Sequence, residues 1–146
     1  MTTIPFTKEQ KGIISEIPSV GDDSAVYFYT SDSKSDAVLI SILEKLSSMS
    51  DPVLAKWLNI TPRTFRNYKT NPDLMLKENT REHIILIISL YKHGVEVFGD
   101  VQNFESWLSK KNRLLDQKAP LEFLETGSGI KFIDNRLTAI EFGENV

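Results

Sequence analysis

The chain has 146 residues, 40% of them hydrophobic and 25% charged, which suits one globular unit or two small subdomains that share a core. It contains no cysteine, so disulfides, iron–sulfur clusters, Cys-ligated zinc and thiol chemistry are excluded. The N-terminal sequence lacks the features of a secretory signal, and no stretch approaches the roughly 18 apolar residues of a membrane helix. We therefore expect a cytoplasmic protein with no membrane association.

The net charge of −3 hides an uneven distribution along the chain. Acidic residues outnumber basic ones in residues 1–40 and again in residues 96–146. Between these acidic flanks, residues 53–69 contain four basic residues and no acidic one: Lys56, Arg63, Arg66 and Lys69. An acidic protein can still bind DNA through one such concentrated basic face.

Residues 1–35 are polar and rich in glycine, serine and aspartate, and we expect much of this segment to be mobile. Residues 25–30 form its single β-favouring run. This run is compatible with a short strand, with an extended arm on a partner, or with part of a loose tail.

Two helices are predicted between residues 36 and 59. The first begins near Asp36, a good N-cap, and the second begins at Asp51 and Pro52, a pairing suited to helix initiation. Asn59 should end the second helix, because asparagine tolerates the left-handed conformation of a tight turn. The apolar residues that should face inward are Val38, Leu39, Ile42, Leu43, Leu46, Val53, Leu54, Trp57 and Leu58.

A third helix is predicted to begin with Thr61 as N-cap and Pro62 at its first position. Together with the preceding helix, and with the small Ala55 where the two approach, it has the pattern of a DNA-reading helix-turn-helix. We predict Thr61, Arg63 and Thr64 as base-contacting residues, and Arg66, Asn67 and Lys69 as contacts to a base or to phosphate. The alternative is an ordinary helical hairpin whose charges are merely solvated.

The longest predicted helix begins at a capping box of Asn79 and Glu82 and extends to about Phe98. Apolar residues cover most of the circumference of this helix, so it should be central in the fold or lie at a dimer interface. Gly99 and Asp100 mark a candidate boundary, after which three short segments carry apolar residues at helical spacing. These residues are Val101, Phe104 and Leu108, then Leu121 and Leu124, and finally Ile130, Ile133, Leu137 and Ile140.

The sequence offers little chemistry for catalysis or metal binding. His83 and His93 lie ten residues apart and so do not share a helix face, although His93 and Glu96 could touch. Trp107 is expected to be a core residue rather than a contact. Because no glycine-rich phosphate loop or catalytic arrangement is present, we expect no enzyme activity, no cofactor and no metal site.

Several features after residue 53 together resemble the antitoxins of the Xre/MbcA/ParS group. They are the helix-turn-helix, the long helix, Phe98-Gly-Asp100 followed by Trp107-Leu108, Ala119-Pro120-Leu121, Leu124, Gly129, and Leu137-Thr-Ala-Ile-Glu-Phe-Gly143. The resemblance covers roughly residues 36–143. In that family an Xre-like helix-turn-helix is followed by a toxin-binding domain.

The resemblance implies a type II antitoxin that forms a homodimer, represses its own operon by binding operator DNA, and neutralises a toxin with a RES domain. Such toxins consume NAD or, in related systems, transfer ADP-ribose, and the C-terminal part of the antitoxin blocks their active site. Carried over by position, the toxin-binding residues are Leu137, Ile140, Glu141, Phe142, Gly143 and, in the acidic tail, Glu144.

Two positions depart from the family pattern. Ala119 stands where members often carry threonine or serine, so the cap of that turn should be weaker by about 0.5–2 kcal/mol. Ala139 stands where the last helix of members often carries arginine, which removes any contact that an arginine would make there.

The predicted fold is mainly α, with a variable N-terminal segment (1–35), a helix-turn-helix domain (36–98) and a toxin-binding domain (99–146). The competing function is a helix-turn-helix transcriptional repressor without a toxin partner. The operator, the toxin and its substrate, and the stoichiometry of the complex do not follow from the sequence.

Overall fold

The computed structural model describes residues 5–32 and 35–143, and regular structure in these ranges is helical apart from one isolated bridge between Asn112 and Lys118. This confirms the mainly α prediction. The helices are α1 (Lys8–Glu16), α2 (Asp23–Ser31), α3 (Asp36–Leu46), α4 (Asp51–Trp57), α5 (Pro62–Thr70), α6 (Glu78–Phe98), α7 (Val101–Ser109) and α8 (Gly127–Glu141). Two short 3-10 turns, Arg113–Leu115 and Pro120–Phe123, lie between α7 and α8.

Helix α6 is the centre of the fold. Helices α2, α3, α7 and α8 all pack against it, and every residue from Ile84 to Tyr91 is buried. A helix that is apolar around its whole circumference can be stable in water only when neighbours cover all its faces. The sequence prediction of a central helix that ends at Phe98 is confirmed.

The starts of α3, α4 and α6 differ from the sequence predictions. Ser35 and Ser50, rather than Asp36 and Asp51, occupy the N-cap positions, and the predicted capping box of Asn79 and Glu82 is absent because α6 begins at Glu78. The backbone just before α6, at Leu76, is bonded to the buried carboxylate of Asp36.

Asp36 binds the segment that leads into α6. Its carboxylate accepts hydrogen bonds from the Leu76 backbone N–H at 2.7 Å and from Nε and Nη2 of Arg81 at 2.7 and 3.0 Å. This bidentate pair satisfies a charge that would be costly to bury alone. Asp36 therefore joins α3 to the start of α6 and does not cap its own helix.

The N-terminal segment also differs from the prediction, since residues 25–30 lie in α2 and form no strand or extended arm. Val26 and Thr30 are buried on the side of α2 that packs against α6, so tertiary burial overrides the local β preference. The loop between α1 and α2 is held to α6 by two hydrogen bonds. Ser89 Oγ donates to the Pro18 carbonyl at 2.7 Å, and Lys92 Nζ donates to the Ile17 carbonyl at 3.0 Å.

A buried carboxylate on α7 links it to the connection between α3 and α4. Glu105 accepts hydrogen bonds from the Tyr91 hydroxyl at 2.6 Å, from Ser47 Oγ at 3.0 Å, and from the backbone N–H of Ser48 at 3.2 Å. The Ser48 hydroxyl makes a further contact with it. The segment after α6 is thus fixed to the segment that precedes the helix-turn-helix.

Gly94 allows α7 to approach α6. A Cβ atom at Gly94 would lie 2.3–2.5 Å from three ring atoms of Phe104, whose side chain is fully buried. We therefore expect Gly94→Ala to lower the free energy of unfolding by about 1–3 kcal/mol through overpacking, although alanine is the better helix former by about 1 kcal/mol.

The matched control is Gly12→Ala in α1, where a Cβ atom would meet nothing within 4 Å. This variant should be as stable as the parent or slightly more stable. Urea unfolding of both variants measures the difference, and equal stability of the two would contradict the close α6–α7 packing.

Candidate functional surfaces

The turn between α4 and α5 has the geometry predicted from the sequence. Asn59 has a positive φ of 59°, and the N–H groups of Asn59 and Ile60 donate to the carbonyls of Lys56 and Ala55 at 3.1 and 3.0 Å. These two bonds satisfy the last carbonyls of α4 in the manner of a Schellman motif. Ala55 is fully buried, so its small side chain lets the two helices approach.

Helix α5 presents most of the predicted DNA-binding residues to solvent. Thr61 caps the helix by accepting a hydrogen bond from the Thr64 N–H at 3.1 Å, as predicted. Phe65 is fully buried below the helix. Arg63, Arg66 and Asn67 are exposed together with Thr61, whereas Thr64 is half-buried.

Lys69 differs from the other basic residues of α5. Its Nζ atom lies 2.7 Å from Glu44 Oε1 and 2.8 Å from Asp51 Oδ2, and the hydrogen bonds to Asp51 and Glu44 raise the pKa of Lys69. Its charge is thus matched by two carboxylates on α3 and α4. The structure assigns Lys69 to holding α5 in place, which weakens its prediction as a DNA contact.

The helix-turn-helix is tied to the segment that precedes α8. Trp57 Nε1 donates to the Leu121 carbonyl at 3.2 Å, and Asn59 Nδ2 donates to the Glu125 carbonyl at 3.0 Å. From α6, Nε2 of His83 lies 2.9 Å from the Leu124 carbonyl, and burial lowers the pKa of His83. These contacts cannot be read from the sequence, because each joins a side chain to a distant backbone carbonyl.

The turn before α8 shows how the chain accommodates Ala119. Alanine has no side-chain oxygen to cap the turn, but the Ala119 N–H donates to Glu122 Oε2 at 2.7 Å. Half of a capping box is therefore retained.

The predicted toxin-binding residues divide into a buried part and an exposed part. Leu137 is 0% exposed, because it continues the stripe of Ile130 and Ile133 that packs in the core. In the protein alone Leu137 is therefore a core residue, and its role as a toxin contact stays a prediction. Ile140 is half-buried and Glu141 is exposed.

Among the described residues after α6, the most exposed large apolar side chain lies at the end of α8. Phe142, which follows the helix directly, is 82% exposed. Gly143 has a φ of 82°, which ends the helix as predicted. Glu144 lies outside the described residues.

His93 forms a contact that the sequence analysis missed. Its Nδ1 atom lies 2.7 Å from Asp134 Oδ1, and its Nε2 atom contacts Glu141 Oε1. The sequence suggested Glu96 as the neighbour of His93, but both carboxylates that His93 binds come from α8. Asp134 and Glu141 are seven residues apart, which places them on one helix face, and only the packing of α8 on α6 identifies His93 as their partner.

The described residues show neither a membrane span nor a metal site. No helix in residues 5–32 and 35–143 has the length and apolar character needed to cross a membrane. The same ranges contain no group of three or more metal-binding side chains.

The different exposure of Leu137 and Phe142 predicts separate roles in folding and binding. Leu137→Ala should lower the free energy of unfolding by about 2–5 kcal/mol, because it leaves a cavity in the core. Phe142→Ala should change it by less than about 0.5 kcal/mol, because the ring is in water. Urea unfolding of the two variants measures both values, and a large loss for Phe142→Ala would show that Phe142 packs on the protein.

Comparison with known proteins finds a family match for the C-terminal part of the chain. Residues 93–143 match the family described as the antitoxin Xre/MbcA/ParS C-terminal toxin-binding domain. No curated protein and no solved structure matches the chain. The matched range begins at His93 in α6 and includes α7, both 3-10 turns and α8. This match confirms, for residues 93–143, the family that the sequence resembles. It supports an antitoxin role for this protein.

Proposed function

We propose that this protein is the antitoxin of a type II toxin–antitoxin system, and that it neutralises a RES-domain toxin that consumes NAD. The match of residues 93–143 to a toxin-binding domain supports the antitoxin role. The RES domain and the NAD chemistry of the partner rest on the resemblance of the sequence. In this proposal the protein is a cytoplasmic homodimer that binds both the toxin and the operator of its own operon.

The observation that carries the proposal is the exposed aromatic ring at the end of the matched domain. Phe142 is 82% exposed, although it follows a helix whose other large apolar residues are mostly buried. Exposed aromatic side chains on a rigid support are typical anchors of protein interfaces. We infer that Phe142 inserts into a pocket of the toxin.

The neighbours of Phe142 suit the active site of an enzyme that binds a nucleotide. Glu141 is exposed beside Phe142, and Glu144 adds a second carboxylate to the tail. Basic groups that bind the phosphates of NAD would also bind carboxylates through charge-assisted hydrogen bonds. Ile140, Glu141, Phe142, Gly143 and Glu144 are therefore the proposed toxin-binding residues.

The second proposed activity is DNA binding through the α4–α5 helix-turn-helix. The exposed side chains at the N-terminal end of α5, Thr61 and Arg63, would reach base edges with Thr64. Arg66 and Asn67 would contact a base or phosphate. A homodimer would place two such helices about 34 Å apart, on successive turns of one DNA face, and in this way repress its own operon.

The competing proposal is a repressor without a toxin partner. The helix-turn-helix alone would suit either function. The match of residues 93–143 to a toxin-binding domain favours the antitoxin, because a plain repressor requires no such domain.

Toxin binding through Phe142 is tested with the protein product of the adjacent gene, by co-expression and co-purification. Phe142→Ala should weaken the complex by about 2 kcal/mol or more, or about 30-fold, because it removes the proposed anchor. Deletion of residues 141–146 should release the NAD-consuming activity of the partner.

The matched control is Phe132→Ala, which removes another exposed aromatic side chain, this one within α8. Phe132 packs against the ring of Phe123 near the other end of the helix, so its loss should leave neutralisation unchanged. Full neutralisation by the chain that lacks residues 141–146 would refute the proposed surface.

DNA binding is tested with a fragment of the operon's own promoter between 50 and 200 mM salt. Arg66→Ala should weaken binding and reduce the slope of log K against log salt by about one unit, because one phosphate contact is lost. Lys69→Ala should change this slope less, since Lys69 is already paired with Glu44 and Asp51.

Lys8→Ala, a change in α1, serves as the control of equal charge and should bind DNA like the parent. Anisotropy of the labelled fragment gives the affinity at each salt concentration. An unchanged slope in Arg66→Ala would contradict the assignment of α5 as the DNA-reading helix.

A further inference from the structure

The side chain of His93 lies between two carboxylates that belong to the same neighbouring helix. Asp134 Oδ1 is 2.7 Å from Nδ1, and Glu141 Oε1 contacts Nε2. His93 and Asp134 are largely shielded from solvent, whereas Glu141 is more exposed. The imidazole, on α6, therefore bridges two positions of α8 that lie about two turns apart.

This arrangement determines the protonation state of His93. A neutral imidazole has one N–H donor and one lone pair, so only one of its nitrogens can donate to a carboxylate. With carboxylate oxygens at both nitrogens, a neutral ring would place a lone pair against an acceptor oxygen. Only the imidazolium donates to both Asp134 and Glu141.

Within the described residues 5–32 and 35–143, the other groups that line the cleft beside His93 form no hydrogen bond with its ring. On α6, Lys92 lies beside it and donates to the Ile17 carbonyl, and Glu96 is one turn away and exposed. On α8, the neighbouring Asn135 and Thr138 line the same cleft and carry no charge. The loop of residues 17–21, which forms the third wall, has no titratable side chain.

The contact between His93 and Glu141 lies at the C-terminal end of α8, next to the proposed toxin-binding residue Phe142. Glu141 is the last residue of α8, and Phe142 follows it directly. The backbone beyond Glu141 is held by two further bonds, from Phe142 N–H to the Thr138 carbonyl at 3.2 Å and from Gly143 N–H to the Ile140 carbonyl at 3.0 Å. A contact that fixes Glu141 therefore also restrains the backbone from which the Phe142 side chain extends.

We propose that His93 is a positioning residue of the toxin-binding surface: as an imidazolium between Asp134 and Glu141, it fixes the last turn of α8 and orients Phe142 for the toxin. This inference rests on the proposed function, since it assigns Phe142 to the toxin contact. The bridge itself concerns the antitoxin alone and can be tested without a partner.

The bridge makes the last turn of α8 sensitive to pH. Burial lowers the pKa of His93, but the hydrogen bonds to Glu141 and Asp134 outweigh this effect and raise the pKa above its ordinary value of 6.5. The stabilisation is fully present below pH 6.5 and is lost as the pH rises through the higher pKa of the folded state. Each unit by which the pKa is raised corresponds to about a tenfold change in the opening equilibrium of the bridge.

The first test is an NMR titration of the isolated protein between pH 5.5 and 9. The chain has only two histidines, His83 and His93. Because burial lowers the pKa of His83, the His83 signal is an internal reference in the same spectrum. His93 should titrate above 6.5 and His83 below it.

Glu141→Gln should lower the pKa of His93, whereas Glu96→Gln, a nearby change of equal charge, should alter it less. A titration of His93 at or below 6.5 would overturn the proposal.

The second test compares variants of His93 in binding to the protein product of the adjacent gene. Binding by the parent protein should weaken as the pH rises from 6.5 to 8.5, because the bridge is lost as His93 deprotonates. His93→Gln should bind weakly at both pH values, and His93→Arg, which keeps a permanent cation with several donors, should bind well at both. Protection of the backbone amides at residues 140–143 against hydrogen exchange, corrected for intrinsic rates, should follow the same order.

The two tests separate the inference from the proposed function. If His93 titrates above 6.5 but the partner does not bind at any pH, the proposed function fails and the bridge stands only as a structural feature. If the partner binds to the parent and to all His93 variants with one pH profile, the antitoxin role stands and the positioning role of His93 is refuted.

Discussion

The burial of α6 on all its faces is the constraint on which the rest of the structure depends. The residues from Ile84 to Tyr91 are apolar or have satisfied polar groups, and each is buried by the elements packed around α6. A helix of this composition would be insoluble alone, so α2, α3, α7 and α8 cannot leave it without exposing a large apolar area. The N-terminal helices, the helix-turn-helix and the C-terminal domain therefore share one core. The family match begins inside this helix, which means that the matched domain includes part of the central helix itself.

Two proposed surfaces lie at different places on this shared core. The turn between α4 and α5 is bonded to the start of α8 through Asn59, whereas Phe142 lies at the other end of that helix. A helix of 15 residues is about 22 Å long, so a toxin at Phe142 and DNA at α5 would contact well-separated parts of the protein. Hydrogen bonds join Glu105 of α7 to Ser47 before α4, and join Trp57 and Asn59 of the helix-turn-helix to the carbonyls of Leu121 and Glu125 before α8. These bonds tie the helix-turn-helix to the C-terminal part of the chain.

The sequence predicted those features that depend on local chemistry. The left-handed turn at Asn59, the cap at Thr61 and the end of α8 at Gly143 follow from residues whose backbone preferences are specific. The length and central position of α6 followed from its apolar composition. In contrast, residues 25–30 have a β preference but form a helix, because Val26 gains more from burial against α6 than from its local preference.

The candidate sites were harder to predict, because side-chain partners there are distant in sequence. Leu137 and Ile140 belong to the same apolar stripe, and only the packing of α8 shows that the first is buried and the second is partly exposed. Lys69 has the same charge as Arg66, but its pairing with Glu44 and Asp51 depends on how α5 lies against α3 and α4. The bridge of His93 likewise joins residues 41 and 48 positions apart. Helical periodicity indicates which residues share a face, but it does not say what the face contacts.

We propose that one fold carries a toxin-binding surface at the end of α8 and a DNA-binding surface on α5. Hydrogen exchange measured by mass spectrometry can test this arrangement, with the protein alone, with the product of the adjacent gene, and with the promoter fragment. The partner protein should protect residues 139–143 and leave residues 62–70 unchanged, while DNA should protect residues 62–70 and leave the end of α8 unchanged. Protection by the partner protein that is confined to α5, or an unprotected end of α8 in a stable complex, would contradict this arrangement.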